Sequence, residues 1–335
     1  MTRWYRASDG QDRRRWRALI RIAGVALIVS AAIIVAVGRL DRPAAGGRPD
    51  SPAVPAALSA GPLPHRPETY LGVYAARKSL SYAGVTAFTR TTGVTPDLVT
   101  YYSAWFEPFR ASFARTAAKH GAVPLVQIEP AHVGLTEIAA GKYDSYLSDF
   151  AAAVRSYHYP VILSFGHEMN GSWYSWSHGH ASPKAFVAAW RHIVTLFRTL
   201  GAGNVTWLWT VNVIDTRHDS IPSPAPWWPG SKYVNWVGID GYFNKPSYAF
   251  APLFGPTIVK VRELTRDPIL IAETAVAPVA GQPAKIADLF AGVRTFGLLG
   301  FVWFDADKHW NWRIRTPAAA AAFLLGARAY KLPAL

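Results

Sequence analysis

The chain has 335 residues, of which 50% are hydrophobic and 17% charged, and it contains 14 tryptophans but no cysteine. This composition is typical of a folded globular domain rather than a disordered chain. The absence of cysteine excludes disulfides, thiolate metal sites and cysteine nucleophiles. The formal net charge is +14, but residues 1–42 hold nine Arg and three Asp, which supply +6 of it. Because no dense block of Lys and Arg follows, we expect no nucleic-acid partner.

The N-terminal part predicts a membrane anchor. Residues 18–38 are apolar apart from Arg21 and reach the roughly 20 residues that a membrane-spanning helix needs. Residues 1–17 are rich in Arg, so the positive-inside rule places them in the cytoplasm and the rest of the chain outside. We therefore expect a single-pass protein of the cell membrane. Secretion after cleavage near Ala36-Val37-Gly38 is the alternative.

The segment after the anchor predicts a tether followed by one folded domain. Residues 39–66 are rich in Pro, Ala and Gly, which is typical of a semi-extended linker. Residues 67–335 then form the predicted domain, which we expect to be monomeric.

Short apolar runs alternate with helical patterns throughout this domain. The predicted strands are residues 70–74, 98–102, 124–128, 160–165, 205–211, 236–241, 268–272 and 300–304. The predicted helices are residues 79–92, 108–120, 143–157, 182–200, 254–265, 284–296 and 318–329. Eight strands with helical connections predict a (β/α)8 TIM barrel of the α/β class. The alternative is a doubly wound open sheet, although no Gly-x-Gly-x-x-Gly turn follows an early strand.

Two glutamates stand at the ends of predicted strands. The run His167-Glu168-Met169-Asn170-Gly171-Ser172-Trp173-Tyr174-Ser175-Trp176 follows the fourth strand, and Glu273 follows the seventh. Barrel enzymes collect their chemistry at the carboxyl ends of strands, so we expect Glu168 and Glu273 to face each other. A pair of carboxyl groups is what most enzymes use to cleave a glycosidic bond.

The neighbours of Glu168 favour a protonated acid at this position. Trp173, Tyr174 and Trp176 would remove water from the carboxyl group, and Glu273 would repel its charged form, so both effects raise its pKa. We expect the two indoles to contact a sugar as well, because apolar ring faces stack on pyranoses.

Three further polar residues are candidate sugar ligands. His167 and Asn170 could bind sugar hydroxyls, and the alternative is that they only fix the loop. Glu129, at the end of the third strand, could bind a sugar hydroxyl or hold a neighbouring loop.

A metal site is not expected. A zinc protease would need the motif His-Glu-x-x-His, but position 171, four after His167, is Gly171. His178 and His180 are assigned to a loop, and we expect no cofactor.

The glutamate segments resemble glycoside hydrolase family 26. The run from His167 to Trp176 is similar to the acid/base segment of that family, and residues 237–242 and 269–274 are similar to its later motifs. The resemblance implies a retaining, endo-acting hydrolase of β-linked polysaccharides, with Glu168 as acid/base and Glu273 as nucleophile. It implies a β-1,4-mannanase first, with a β-1,3-xylanase or a mixed-linkage β-glucanase as alternatives. A non-hydrolytic polysaccharide-binding or biosynthesis-associated membrane protein is the alternative from another class.

The resemblance also assigns aromatic residues. It implies that Tyr242 orients Glu273 and that Trp303 forms the aromatic floor of the sugar site, with a core role as the alternative for Trp303. Trp105 is a further predicted sugar platform. It belongs to a group of loop tryptophans of which we expect two or three to bind sugar, the others being Trp227, Trp228, Trp310 and Trp312.

Overall fold

A computed structural model of the chain describes residues 62–64, 67, 70–75, 81–214, 221–278, 281–308 and 310–330. The predicted cytoplasmic segment and membrane anchor, and most of the predicted linker, lie outside these residues. Within the described ranges, no helix combines the length and apolar character needed to span a membrane.

The described domain is built around a closed barrel of eight parallel strands. The strands are β1 (Tyr70–Tyr74), β2 (Leu98–Ala104), β3 (Val123–Glu129), β4 (Val161–Phe165), β5 (Val205–Asn212), β6 (Trp236–Asp240), β7 (Ile269–Thr274) and β8 (Gly300–Phe304). Strand β1 pairs with both β2 and β8, which closes the sheet. The predicted barrel is confirmed, and the open doubly wound sheet is excluded.

Helices surround the barrel on its outer side. They are α1 (Ala83–Thr92), α2 (Ala111–Lys119), α3 (Leu135–Ala139), α4 (Asp144–Tyr157), α5 (Pro183–Thr199), α6 (Phe250–Leu264), α7 (Gln282–Thr295) and α8 (Pro317–Tyr330). Helix α5 begins as predicted, because the Ser182 side chain accepts a hydrogen bond from the amide of Ala185. The sequence missed the short α3. It also missed a hairpin after β8, formed by β9 (Asp307–Lys308) and β10 (Trp310–Asn311).

The barrel interior is filled by side chains from alternate positions of the strands. Its lower cluster comprises Leu63, Tyr70, Leu98, Val123, Leu125, Ile162, Leu208, Trp236, Leu270, Ala272, Leu299 and Val302. Leu63 was predicted to lie in the linker, yet it is 4% exposed and its amide donates a 2.8 Å hydrogen bond to Thr206 Oγ1. The Tyr70 hydroxyl also donates to the Pro64 carbonyl. Leu63 therefore packs at the base of the barrel, although it falls within the predicted linker of residues 39–66.

Strand β7 contains a bulge that sets the direction of Glu273. Ile271 packs in the cluster between strands and helices, whereas the next residue, Ala272, belongs to the barrel interior. Strict alternation would then send Glu273 outward with Ile271. The pairing register shifts at this point, both against β6 and against β8. A bulge adds one residue and changes the facing of those that follow, so Glu273 points into the barrel mouth.

Replacing Leu63 by Ala should lower the free energy of unfolding by about 2–5 kcal/mol, because the change leaves a cavity at the base of the barrel. The measurement is urea unfolding of the purified protein. Leu325→Ala is the matched control, since Leu325 is 71% exposed, and its effect should stay within about 0.5 kcal/mol. Equal, small effects of both substitutions would show that residue 63 does not belong to the core.

Candidate active site

The segment after β4 turns sharply and presents Glu168 at the barrel mouth. Gly166 has φ 56° and Glu168 has φ 54°, so both residues are left-handed. A Cβ atom at position 166 would lie 2.9 Å from the Phe186 ring, which requires glycine there. The amide of Glu168 donates to the Thr210 carbonyl at 2.9 Å and ties the turn to β5. A left-handed glutamate is strained by about 1–3 kcal/mol, and such strain is typical of functional residues.

Two donors hold the carboxyl group of Glu168. Asn212 Nδ2, at the end of β5, donates to Oε1 at 2.5 Å, and Trp173 Nε1 donates to Oε2 at 2.7 Å. Burial, reinforced by the negative charge of Glu273, raises the pKa of Glu168 to about 7, although both donors act in the opposite direction. A substantial fraction of Glu168 is therefore protonated at neutral pH. Trp173 lies beside the carboxyl group as the sequence predicted, but its hydrogen bond lowers the pKa of Glu168, whereas desolvation by Trp173 was expected to raise it. The contact with Asn212 was not foreseen.

Two tyrosine hydroxyls hold the carboxyl group of Glu273. Tyr242 donates to Oε2 at 2.5 Å, and Tyr102, from β2, donates to Oε1. Burial raises the pKa of Glu273, while these two hydrogen bonds and the charge of Lys308 lower it. Burial also raises the pKa of both tyrosines well above the usual range, so they remain O–H donors. The contact with Tyr242 agrees with the sequence prediction, and Tyr102 was missed.

Asp240 is a third carboxyl group at this site. It ends β6, pairs in register with Glu273 and is completely buried. Burial, together with the charges of Glu273 and Glu168, raises its pKa well above the usual range. This direction favours the neutral form of Asp240, which would add no negative charge to the barrel mouth.

His167 lies beside the tyrosines rather than in open solvent. Its side chain is 1% exposed, its ring centre lies 5.5 Å from that of Tyr102, and its Nε2 is 3.2 Å from the Tyr174 hydroxyl. Burial lowers the pKa of His167 to about 3, so the ring is neutral. In this position it packs against one of the tyrosines that bind Glu273.

Asn170 and Trp176 fix the loop, which corrects their prediction as sugar ligands. The Asn170 amide donates to the Asn212 carbonyl at 2.9 Å and accepts from the Asn212 amide at 2.8 Å. Both ends of its side chain are thus used by the backbone that positions Asn212. Trp176 is 3% exposed and donates from Nε1 to the His167 carbonyl. Neither side chain is available to a substrate.

Trp303 is not the floor of the barrel mouth, which corrects a second prediction. It is fully buried, points to the helical layer and meets Phe323 of α8 edge-on at 5.6 Å. The alternation of β8 instead directs Phe304 inward, on the same face as Val302. Phe304 stacks on Tyr74 with ring centres 4.6 Å apart.

Trp105 is likewise a core residue and not an outer platform. It is 7% exposed and packs against Tyr146 and Phe165, with ring centres 5.1 and 6.1 Å away. A buried indole of this kind offers no face to a sugar, so this prediction is also corrected.

The other predicted platforms differ in exposure. Trp227 and Trp312 are buried, Trp228 is half-buried, and Trp310 is 45% exposed on the β9–β10 hairpin. Phe106, which the sequence did not single out, is 60% exposed and left-handed, with φ 72°, in the segment after β2. Among the described residues, Trp310 and Phe106 are the large aromatic side chains with substantial exposed surface at this end of the barrel.

The remaining polar candidates do not form a metal site in the described residues. No group of three His, Asp or Glu side chains converges there in a way that could hold a metal ion. His178 and His180 are exposed, and His180 Nε2 lies 3.1 Å from the Ser172 carbonyl. Burial raises the pKa of Glu129 to about 7, despite the opposing charge of Lys308.

Sequence comparison links the chain to enzymes that act on polysaccharides. Residues 139–279 match the model of glycosyl hydrolase family 26. Endoglucanase H of Acetivibrio thermocellus is 30% identical over 260 residues, which cover 72% of this chain and 29% of that protein. Beta-1,3-xylanase TXYA of Vibrio sp is 29% identical over 108 residues, which cover 32% of this chain and 22% of that protein. The chain thus spans less than a third of the length of either relative.

Structural comparison agrees with the barrel architecture. A modular endo-β-1,4-mannanase from Cellulomonas fimi has 18% identity and a TM-score of 0.61, over 77% of this chain and 70% of that chain. Bacillus subtilis mannanase BCman has 18% identity and a TM-score of 0.58, over 77% of this chain and 84% of that chain. At this identity the likeness demonstrates the fold. The segment matched by the family model contains both Glu168 and Glu273, and the resemblance is confirmed: the chain carries a glycosyl hydrolase family 26 domain.

Proposed function

We propose that the chain is a retaining hydrolase of β-linked polysaccharides, with Glu168 as acid/base and Glu273 as nucleophile. The observation that carries this proposal is the pair of buried carboxyl groups at the barrel mouth, which have different hydrogen-bond donors. Burial raises the pKa of both groups. Burial raises the pKa of Glu168 to about 7, which supplies a proton donor at neutral pH. Two tyrosine hydroxyls donate to Glu273 and favour its ionised form.

The proposed reaction has two steps. First, Glu273 attacks the anomeric carbon and forms a glycosyl–enzyme ester, while Glu168 gives its proton to the departing glycosidic oxygen. Second, the Glu168 carboxylate takes a proton from water, whose oxygen attacks the same carbon and releases Glu273. Tyr102 and Tyr242 orient the attacking oxygen throughout, and Trp173 and Asn212 orient the proton donor.

We propose β-1,4-mannan as the leading candidate substrate, which the protein cleaves at internal bonds of the polysaccharide. This choice is supported by the names of the structural neighbours, which include endo-β-1,4-mannanases. The named relatives support β-1,3-xylan and β-glucan as alternatives. The test is product release from mannan, β-1,3-xylan and mixed-linkage glucan, with binding measured in parallel. Binding without cleavage of any polymer would favour a non-hydrolytic role instead.

We also propose that residues 18–38 anchor a monomeric domain at the outer face of the cell membrane. The uncharged composition of residues 22–38 and the arginines before them support this placement. Membrane fractionation of the full chain and of a variant that starts at residue 39 tests it. Recovery of the full chain in the soluble fraction would favour cleavage instead.

Removing either glutamate should abolish most of the turnover. We expect Glu168→Gln to lower kcat by about 10²–10⁴-fold, the usual contribution of a general acid. With an aryl β-glycoside as substrate and added azide, Glu168→Ala should yield a glycosyl azide of retained anomeric configuration. Glu273→Ala should yield one of inverted configuration. Glu263→Gln, which removes an exposed carboxylate of α6, is the matched control and should retain full activity. Undiminished hydrolysis by either active-site variant would refute the assignment.

The pH dependence of kcat/KM should follow the two carboxyl groups. Activity should decline as pH rises through about 7, because Glu168 then loses its proton. Trp173→Phe removes a hydrogen bond that favours ionised Glu168, so the alkaline limb should move to higher pH. Tyr242→Phe removes a donor to Glu273, so the acid limb should move to higher pH. Tyr159→Phe, at the opposite end of the barrel, should move neither limb. Unchanged limbs in both active-site variants would contradict these roles.

A further inference from the structure

The β9–β10 hairpin brings a positive charge to the active site. The charge of Lys308 acts on Glu129, Glu168 and Glu273, where it lowers the pKa of each carboxyl group, and on His167. In the part of the chain that the structure describes, no other Lys or Arg has a resolved effect on these four groups. The charge of Lys308 therefore reaches both glutamates of the proposed site of bond cleavage.

Trp312 fixes the hairpin against Tyr242. Its amide donates to the Ala306 carbonyl at 3.1 Å, and its Nε1 donates to the Lys308 carbonyl at 3.0 Å. Its own carbonyl accepts from Trp303 Nε1 at 3.1 Å. The Trp312 ring lies 4.8 Å from that of Tyr242, which binds Glu273. The backbone at Lys308 is thus positioned relative to the nucleophile.

The two faces of the hairpin have different partners. Trp310 pairs directly with Lys308, and Asn311 pairs with Asp307, so the first two side chains share one face and the other two share the opposite face. Asp307 binds Arg313 at 2.7 Å. On the other face, no carboxylate among the described residues lies within ion-pair distance of the Lys308 ammonium group. Trp310 is 45% exposed beside it.

An indole face next to an available ammonium group suits a sugar that carries a negative charge. The ring can stack on the pyranose, and the ammonium group can form a charge-assisted hydrogen bond with a carboxylate. Neutral mannan, xylan and glucan offer no partner for this charge. Residues 43–335 carry the remaining +8 of the net charge, which favours the approach of an acidic polymer.

We propose that Lys308 and Trp310 form a subsite for a carboxylated sugar, so that a carboxylated form of the β-glycan backbone proposed above is preferred to the neutral form. The carboxylate belongs either to a uronic acid unit or to a carboxylated substituent on a neutral unit. This inference rests on the proposed hydrolysis and specifies its substrate class. Glu129 does not neutralise the subsite below neutral pH, because its raised pKa keeps it largely protonated there.

The first experiment compares matched polymers. The kcat/KM values are measured on a neutral β-glycan, on its C6-oxidised form and on its succinylated form. We expect the wild-type protein to prefer one carboxylated form by about ten- to a hundred-fold, as one charge-assisted hydrogen bond allows. Lys308→Met should reduce this ratio to near one, and Lys308→Arg should retain most of it. Lys119→Met removes the same charge at the other end of the barrel and should leave the ratio unchanged.

The outcomes separate the subsite from an effect on the glutamates. If Lys308→Met lowers kcat/KM equally on neutral and carboxylated polymers, Lys308 acts only through Glu168 and Glu273, and the proposal is wrong. The proposal is also wrong if Lys308→Met leaves kcat/KM unchanged on both the neutral and the carboxylated polymers. The preferred form identifies the source of the carboxylate, and its advantage should shrink as salt concentration rises.

A binding experiment keeps the inference testable if no polymer is cleaved. Affinities for neutral and C6-oxidised oligosaccharides are measured on Glu168→Gln, with and without Lys308→Met. Tighter binding of the oxidised ligand that disappears with Lys308→Met supports the subsite even where the proposed hydrolysis has failed. Equal affinity for the two ligands in Glu168→Gln would refute it.

Discussion

The repulsion between buried carboxyl groups is the constraint around which the barrel mouth is organised. Glu168, Glu273 and Asp240 share one desolvated site, and burial is the largest cause of the raised pKa of each. Three negative charges there would oppose folding. Burial favours the neutral form of Asp240. The donors differ between the two glutamates: an amide and an indole for Glu168, and two phenols for Glu273. These hydrogen bonds oppose the effect of burial on both glutamates.

Those donors come from distant parts of the chain, and the closed barrel is what brings them together. Tyr102 ends up beside Glu273, although 171 residues separate them, and Asn212 reaches Glu168 across 44 residues. Asn170 holds the Asn212 backbone through both ends of its amide. Trp176 binds the carbonyl of His167, which packs against Tyr102. Asn170 and Trp176, which contact neither carboxyl group, therefore help to determine where the two carboxyl groups lie.

The sequence predicted the strands, seven of the helices and both glutamates, because apolar runs and strand-end carboxylates are local features. It failed where the direction of a side chain depends on tertiary structure. Trp303 lies one position from Phe304, and alternation along β8 decides which of the two faces inward. Trp105 resembles any loop tryptophan until the packing of Phe165 and Tyr146 around it is known. The contact between Tyr102 and Glu273 carries no local signal, since only pairing between distant strands creates it.

Because of the bulge in β7, the number of residues in this strand decides whether Glu273 faces the barrel interior or the helices. A loop between barrel elements can gain or lose residues while the side chains of the flanking strands stay on the same face of the sheet. Within β7, the loss of one residue would move each following side chain from one face of the strand to the other. The reactive end of this barrel is therefore insulated from length variation in its loops, but it depends on the count of residues in a single strand. A chain could keep every helix and strand and yet turn Glu273 into the surrounding helical layer.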